Sequence, residues 1–206
     1  MVITCNRTPF HHIFIKDTFS DSAYQEVWDE MVFLRLRMQG PETTGAAYKK
    51  SDPSVRKKRG VGIFLEKIYT DMMYSSISFH TKRLIEDKTL FNNAQTLAEE
   101  NYYFKHWNPA NFKMYVLAQY YKDRDFYKPH HDVALFSSVT VLHQKPKAYS
   151  GGNFSFPEFD YTVELEDNTT VIFPSSITHE VDEVEMEESD GLSGRFSITN
   201  FINLRV

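Results

Sequence analysis

The sequence has little cysteine, no long apolar run and no excess of positive charge. Cys5 is the single cysteine among 206 residues, so an internal disulfide and a thiolate metal cluster are both excluded. No segment approaches the roughly 18 apolar residues that a membrane-spanning helix needs. Residues 1–10 lack the basic start and apolar core of a secretion signal. We therefore expect a soluble, cytoplasmic protein with no membrane partner.

The net charge of −5 gives the chain no global positive field that would attract phosphate backbones. Nucleic acid is therefore disfavoured as a partner, because its binding would need a local basic patch. Aromatic residues, in contrast, make up 15% of the chain, which favours a rigid interior over disorder. The length suits one hydrophobic core, and we expect a single domain over residues 1–206. The sequence does not indicate the oligomeric state.

The hydrophobic pattern changes along the chain from a helical period to a strand period. Residues 21–37 and residues 82–101 place apolar side chains at helical spacing. Beyond these segments the period approaches two, and the predicted strands are 112–121, 137–143, 161–166, 169–174 and 195–206. We therefore predict an α+β fold, with a helical part at about 1–110 packed against one sheet of a β core at about 111–206.

Metal-binding residue types occur at strand spacing near residue 130. Residues two apart on an extended strand point the same way, so His130 and Asp132 share a face and His131 points away. His179 follows a later strand-like segment, which a β-sandwich can bring back beside the first. Two neutral imidazoles and one carboxylate would then occupy one face of an iron(II) and leave the other face open. A closed zinc site is disfavoured, since no cysteine is available to complete it.

The last predicted strand carries an anion-binding pair. Arg195 and Ser197 are two apart and therefore share a face. A guanidinium matches a carboxylate with two parallel hydrogen bonds, and a neighbouring hydroxyl can add a third. The pair is therefore typical of an anchor for a dicarboxylate.

Together these segments resemble the 2-oxoglutarate/iron(II) dioxygenases and, within them, the prolyl 4-hydroxylase-like branch. The resemblance covers roughly residue 112 to the end of the chain, and it is specific through the order and spacing of its segments. These segments are Tyr120…Tyr127-Lys-Pro-His130-His-Asp132, Gly151-Gly152-Asn-Phe, Val171-Ile-Phe-Pro-Ser-Ser…His179-Glu-Val and Gly194-Arg195-Phe-Ser197.

The resemblance implies a double-stranded β-helix, or jelly-roll, core with a catalytic iron(II) held by His130, Asp132 and His179. It assigns the binding of the cosubstrate 2-oxoglutarate to Arg195, Ser197, Tyr120 and Tyr127. It implies O₂ as the second cosubstrate and ascorbate as a further candidate cofactor. The implied reaction converts 2-oxoglutarate to succinate and CO₂ and hydroxylates an unactivated C–H bond. An aspartate at position 132 favours hydroxylation over halogenation, since halogenating relatives carry a small residue there.

The sequence departs from the resemblance in two places. The interval between His179 and Arg195 is longer than usual and acidic, which indicates an extended hairpin and leaves Arg205 as an alternative anchor. Relatives often place a cosubstrate-binding tyrosine near residues 142–144, and this chain has none there. That contact is therefore lost or replaced by another residue.

We predict from the resemblance that the protein hydroxylates a peptidyl side chain such as proline. The first alternative is a hydroxylase of a free amino acid or other small metabolite. An alternative of another class is a metal-binding β-barrel without turnover. The basic stretch at 49–59 favours an acidic or phosphorylated partner, whereas the acidic run at 180–190 favours a basic peptide. The sequence does not decide between these two.

Overall fold

A computed structural model describes residues 1–44, 48–49, 52–187 and 191–205. The α-helices in these ranges are α1 (Asp21–Arg35), α2 (Ser76–Ile85) and α3 (Lys88–Ala98). The strands are β1 (Val2–Asn6), β2 (His12–Lys16), β3 (Tyr48–Lys49), β4 (Asp52–Arg56), β5 (Val61–Phe64), β6 (Phe112–Tyr121), β7 (Tyr127–His130), β8 (Phe136–Leu142), β9 (Ser150–Gly151), β10 (Phe154–Phe156), β11 (Tyr161–Val163), β12 (Thr169–Pro174), β13 (His179–Val181), β14 (Val184–Glu185) and β15 (Arg195–Leu204).

The core is a sandwich of two antiparallel sheets. The larger sheet has the strand order β1-β2-β12-β8-β15-β6-β5, and the smaller has the order β11-β10-β13-β7. Between them, Val139 and Phe173 of the larger sheet pack with Phe154, Phe156 and Val181 of the smaller sheet. This arrangement agrees with the double-stranded β-helix that the resemblance implied.

The helices cover the opposite face of the larger sheet, as predicted. Helix α1 buries Val27 and Met31 against Val116 and Ile198 of β6 and β15. Helices α2 and α3 form a second apolar cluster that includes β2 and the start of β8. Within the described ranges, no helix has the length and apolar character needed to cross a membrane.

The second predicted helix, residues 82–101, is divided into two helices. Helix α2 begins earlier than predicted and ends at Ile85. Asp87 then caps α3, because its carboxylate accepts hydrogen bonds from the backbone N–H groups of Thr89 and Leu90. The apolar period continues across both helices, so the pattern alone did not locate the break.

The predicted division into a helical part at 1–110 and a β core at 111–206 needs correction. Strand β2 pairs with β12, and β5 pairs with β6, so segments from before residue 111 extend the larger sheet. Ile13 and Ile15 of β2 are fully buried in this position. The β-branched pattern of β2 is too short to stand out in the sequence, and its pairing depends on the distant β12.

Candidate metal centre and anion pocket

The two histidines predicted as ligands lie directly opposite each other on neighbouring strands. His130 ends β7 and is paired with His179 at the start of β13. Asp132 follows β7, and its carboxylate oxygens lie 3.7 Å from Nε2 of His130 and 3.4 Å from Nε2 of His179. One possible ligand atom from each residue lies within 4.8 Å of the others. The fold therefore brings all three together at one end of the smaller sheet.

Hydrogen bonds select the ring nitrogen that each histidine presents. Nδ1 of His130 lies 2.9 Å from the carbonyl oxygen of Lys128, and Nδ1 of His179 lies 3.0 Å from that of Ile177. A carbonyl only accepts, so Nδ1 of each ring carries a proton. Nε2 of each ring therefore faces Asp132, where it can donate to the carboxylate in the metal-free site or present a lone pair to a metal.

The Asp132 carboxylate is held in place and ionised. The Ser137 hydroxyl donates a 2.6 Å hydrogen bond to Oδ2, and the backbone N–H of Asp132 donates to the carbonyl of Ser175. Burial favours the neutral acid, but the hydrogen bond and charge of His179, with further help from His130 and Ser137, lower the pKa of Asp132 to about 2. The carboxylate is therefore charged at neutral pH, as a metal ligand must be.

Aromatic rings enclose the histidines. The Tyr127 ring stacks on His130 with ring centroids 3.5 Å apart, and Phe154 and Phe173 lie near His179 at 5.4 and 4.9 Å. Burial, followed by the charge of His179, lowers the pKa of His130 well below its ordinary value. The ring is therefore neutral and able to coordinate a metal. His131, in contrast, is exposed.

The donor set fits iron(II). Two neutral imidazoles and one carboxylate on one side of a site are the arrangement found in non-haem iron(II) oxygenases. Metal–ligand bonds of about 2.1 Å place adjacent donors roughly 3 Å apart, so the Asp132 oxygens, at 3.4 and 3.7 Å from the imidazole nitrogens, would need to move only slightly. All three residues line a cavity of about 890 Å³, so the remaining coordination positions would face it.

The same cavity contains a buried cation. Arg195 is 1% exposed, and in the described structure both terminal nitrogens of its guanidinium lack a hydrogen-bond partner. Leaving such donors unpaired in the interior is costly, so the pocket is suited to an anion with at least two acceptor oxygens. Ser197 lies beside Arg195 on β15 and also lines the cavity. Arg205 is elsewhere and donates through Nε to the carbonyl of Phe112.

The predicted cosubstrate contact at Tyr120 needs correction. Side chains alternate along β6, and Tyr120 faces the helices, where its ring packs on Phe196 and its hydroxyl accepts a hydrogen bond from the N–H of Gly194. Tyr121 faces the cavity instead. It is paired across the sheet with Arg195, whose guanidinium carbon lies 5.5 Å from its ring centroid.

A short hydrogen-bond chain orients the Tyr121 hydroxyl. The Thr199 hydroxyl donates to Oε1 of Gln119 at 3.1 Å, which turns the amide nitrogen of Gln119 toward Tyr121. That nitrogen donates to the Tyr121 oxygen at 2.9 Å. Since the phenol oxygen accepts from Gln119, its own hydrogen remains available to an acceptor in the cavity. Sequence reasoning missed this role for Tyr121, although the adjacent tyrosine was selected.

The Gly151-Gly152 pair is explained by the close approach of Arg195. Gly152 has φ +64°, and a Cβ atom at this position would lie 3.0 Å from Cδ of Arg195. Only glycine combines this backbone conformation with this space. The acidic segment after His179 runs past the same pair, because β14 pairs with β9. The predicted extended hairpin is therefore not formed in the described part of that segment, which includes residues 180–187.

Comparison with known proteins agrees with this geometry. Residues 115–203 match the family model described as the 2OG-Fe(II) oxygenase superfamily. The fold is similar to a Pseudomonas putida prolyl-4-hydroxylase, with a TM-score of 0.59 and 12% identity over 95% of this chain and 93% of that one. It is also similar to the viral collagen prolyl hydroxylase of Paramecium Bursaria Chlorella virus-1, with a TM-score of 0.53 and 12% identity over 93% and 94% of the two chains.

A third similar structure is that of an epimerase and not of a hydroxylase. It is the non-heme alpha ketoglutarate dependent epimerase SnoN from nogalamycin biosynthesis, with a TM-score of 0.53 and 11% identity over 94% of this chain and 78% of that one. No curated protein sequence matches the chain. At these identities, the structural neighbours establish the double-stranded β-helix fold and leave the substrate open.

Proposed function

We propose that the chain, whose residues 115–203 match the 2OG-Fe(II) oxygenase superfamily model, is a hydroxylase with one oxygenase domain spanning residues 1–206. In this proposal the iron ligands are His130, Asp132 and His179. Arg195 binds the distal carboxylate of 2-oxoglutarate, with Ser197 and Tyr121 beside it. The observation that carries the proposal is the buried, unpaired guanidinium of Arg195 in the cavity that the three ligands also line.

The protein residues would bind, orient and shield the reactants. Iron(II) with 2-oxoglutarate and O₂ supplies the oxidising power when bound. The carbonyls of Lys128 and Ile177 keep each Nε2 available, and Ser137 holds the carboxylate of Asp132. The aromatic walls around the histidines would limit the access of water to the reacting centre.

The substrate class that we propose first is a peptidyl side chain such as proline. The similar folds of two prolyl hydroxylases support it. The cavity also continues beyond the metal centre along the larger sheet, past Leu117 to Phe64, Tyr115 and Phe201, which leaves room for an extended ligand. The similar fold of SnoN supports the alternative, a small-molecule substrate. A metal-binding barrel without turnover would not explain why Arg195 is buried unpaired.

The proposal is tested by measuring succinate formed from 2-oxoglutarate by the iron(II)-loaded protein, with and without ascorbate. We expect slow succinate formation that requires both iron and O₂, and stimulation by a hydroxylatable compound from a library of proline-containing peptides and free amino acids. Mass spectrometry of the stimulating compound should show the gain of one oxygen. Binding of iron without any consumption of 2-oxoglutarate would instead favour the non-catalytic barrel.

Assigning the cosubstrate contact to Tyr121 instead of Tyr120 gives a testable prediction. Tyr121→Phe removes a donor to the cosubstrate carboxylate and should weaken 2-oxoglutarate binding by about 10- to 100-fold, since hydrogen bonds to charged groups contribute about 1.5–3 kcal/mol. Tyr120→Phe, which alters the helical side of the same strand, should leave the affinity within about twofold. Anaerobic titration of the iron(II) protein measures both dissociation constants. A larger loss for Tyr120→Phe would contradict the reassignment.

A further inference from the structure

A second buried cation lies in the cavity and has no role in binding iron or 2-oxoglutarate under the proposed function. Lys58 is 1% exposed and lines the cavity. Its Nζ atom lies 4.8 Å from the ring centroid of Tyr127 and 5.8 Å from that of Tyr121. The ammonium is therefore beside the proposed metal centre and not in solvent.

The backbone holds Lys58 at this position. Lys58 forms an isolated bridge with Tyr127, the first residue of β7. On either side, the N–H of Lys128 donates to the carbonyl of Lys57, and the N–H of Arg59 donates to that of Phe126. The segment before β5 is thus fixed to the strand that carries His130. The position of the ammonium follows from this pairing.

Lys58 lacks a counter-ion in the described part of the chain, where no carboxylate oxygen lies within 4 Å of its Nζ. Its charge is stabilised at longer range by Asp132 and Asp125, yet burial dominates and lowers the pKa of Lys58 to about 7. Asp132 already interacts with both histidines and with Ser137. An ammonium buried in this way is stabilised strongly by an anion that arrives with a ligand.

Binding of iron(II) and 2-oxoglutarate would leave the positive charge of Lys58 without a matching negative charge. The two charges of iron(II) and the one of Arg195 are balanced by the carboxylate of Asp132 and the two carboxylates of 2-oxoglutarate. When it is protonated, Lys58 adds one further positive charge to a low-dielectric cavity. Asp132 is the single acidic residue among the cavity-lining residues described, and none of the acidic residues described between 180 and 187 lines it. The cavity therefore disfavours a basic substrate.

We propose that the ammonium of Lys58 binds a carboxylate of the substrate that is hydroxylated. The substrate class is then a carboxylate-bearing compound, either a free amino acid or a peptide with an acidic group near the hydroxylated residue. This inference rests on the proposed function. It assigns Lys58 to the substrate and not to 2-oxoglutarate, whose two carboxylates are accounted for by iron and Arg195.

The test uses two matched pairs of ligands on protein loaded anaerobically with iron(II) and 2-oxoglutarate. One pair is L-proline and L-prolinamide, and the other is acetyl-Ala-Pro-Glu-amide and acetyl-Ala-Pro-Gln-amide. Calorimetry measures the affinity of each for the wild type, Lys58→Met, Lys58→Arg and Arg59→Met. Arg59 is the matched control, because it is adjacent, cationic and exposed. The pair whose carboxylate member binds more tightly than its amide shows whether the carboxylate belongs to a free amino acid or to a peptide.

We expect the carboxylate member of one pair to bind the wild type at least tenfold more tightly than its amide. Lys58→Met should abolish this preference, whereas Lys58→Arg and Arg59→Met should retain it. The inference is overturned if neither pair shows a preference in the wild type, or if Lys58→Met keeps it.

The visible band of 2-oxoglutarate bound to iron(II) provides the separate check on folding and on the proposed function. Its titration should give the same 2-oxoglutarate affinity for Lys58→Met as for the wild type. A tenfold weaker affinity would assign Lys58 to the cosubstrate and overturn the inference. Absence of the band in the wild type would overturn the proposed function itself, and the inference with it.

Discussion

Replacing Asp132 or His179 by alanine should abolish iron-dependent consumption of 2-oxoglutarate. Either change leaves two protein ligands where three are needed to hold the metal on one face. Loss of a residue that only supports a ligand typically costs about 10- to 100-fold in metal affinity or activity, so loss of a ligand should cost more than about 100-fold. Iron content after gel filtration and succinate formation measure the two effects.

His131→Ala is the matched control for this prediction. His131 is next to a proposed ligand, but it is exposed and lies outside the group of three. The variant should keep most of its bound iron and most of its turnover, whereas His130→Ala should lose both. Equal losses of bound iron and turnover in His130→Ala and His131→Ala would show that the assignment of His130 as the ligand is wrong.

Replacing Arg195 by alanine should remove tight binding of 2-oxoglutarate while iron still binds. The change deletes the two donors that match the distal carboxylate in the buried pocket. Truncating one partner of a buried charged pair costs about 2–5 kcal/mol, which corresponds to roughly 30- to 4,000-fold in the dissociation constant. Anaerobic titration of the iron(II) protein, followed through the visible band of the bound 2-oxo acid, measures this constant.

Two further variants define what the pocket requires. Arg205→Ala changes the arginine that bonds the carbonyl of Phe112 outside the cavity, and it should leave the 2-oxoglutarate affinity unchanged. Arg195→Lys keeps the charge but loses the planar pair of donors, so it should recover only part of the affinity. If Arg195→Ala bound 2-oxoglutarate as well as the wild type, the proposed anchor would be refuted.

Much of the core was predictable because its signals are local. Strand β12 spans Thr169–Pro174, as the apolar and β-branched pattern predicted, and β6 likewise matches its predicted span. The grouping of His130 and Asp132 followed from the two-residue period of a strand. The return of His179 beside them followed from the order of motifs. In each case residues near in sequence, or a recognisable order of segments, carried the information.

The errors concern residues whose roles depend on distant segments. Two adjacent tyrosines on a strand face opposite ways, and the pairing of β6 with Arg195 on β15 decides that Tyr121 faces the cavity. Lys58 lies in the basic stretch at 49–59, and its burial follows from pairing with β7. The strand β2 joins a partner more than 150 residues later in the chain (169 − 16 = 153). Such pairings are not encoded in a short window.

The division of the site between the two sheets has a mechanical consequence. His130 and His179 belong to the smaller sheet, whereas Arg195 and Tyr121 belong to the larger one. Iron alone would therefore link only neighbouring strands of the smaller sheet. A dicarboxylate held by the iron at one end and by Arg195 at the other would connect the two layers, so iron with 2-oxoglutarate would stiffen the sandwich more than iron alone.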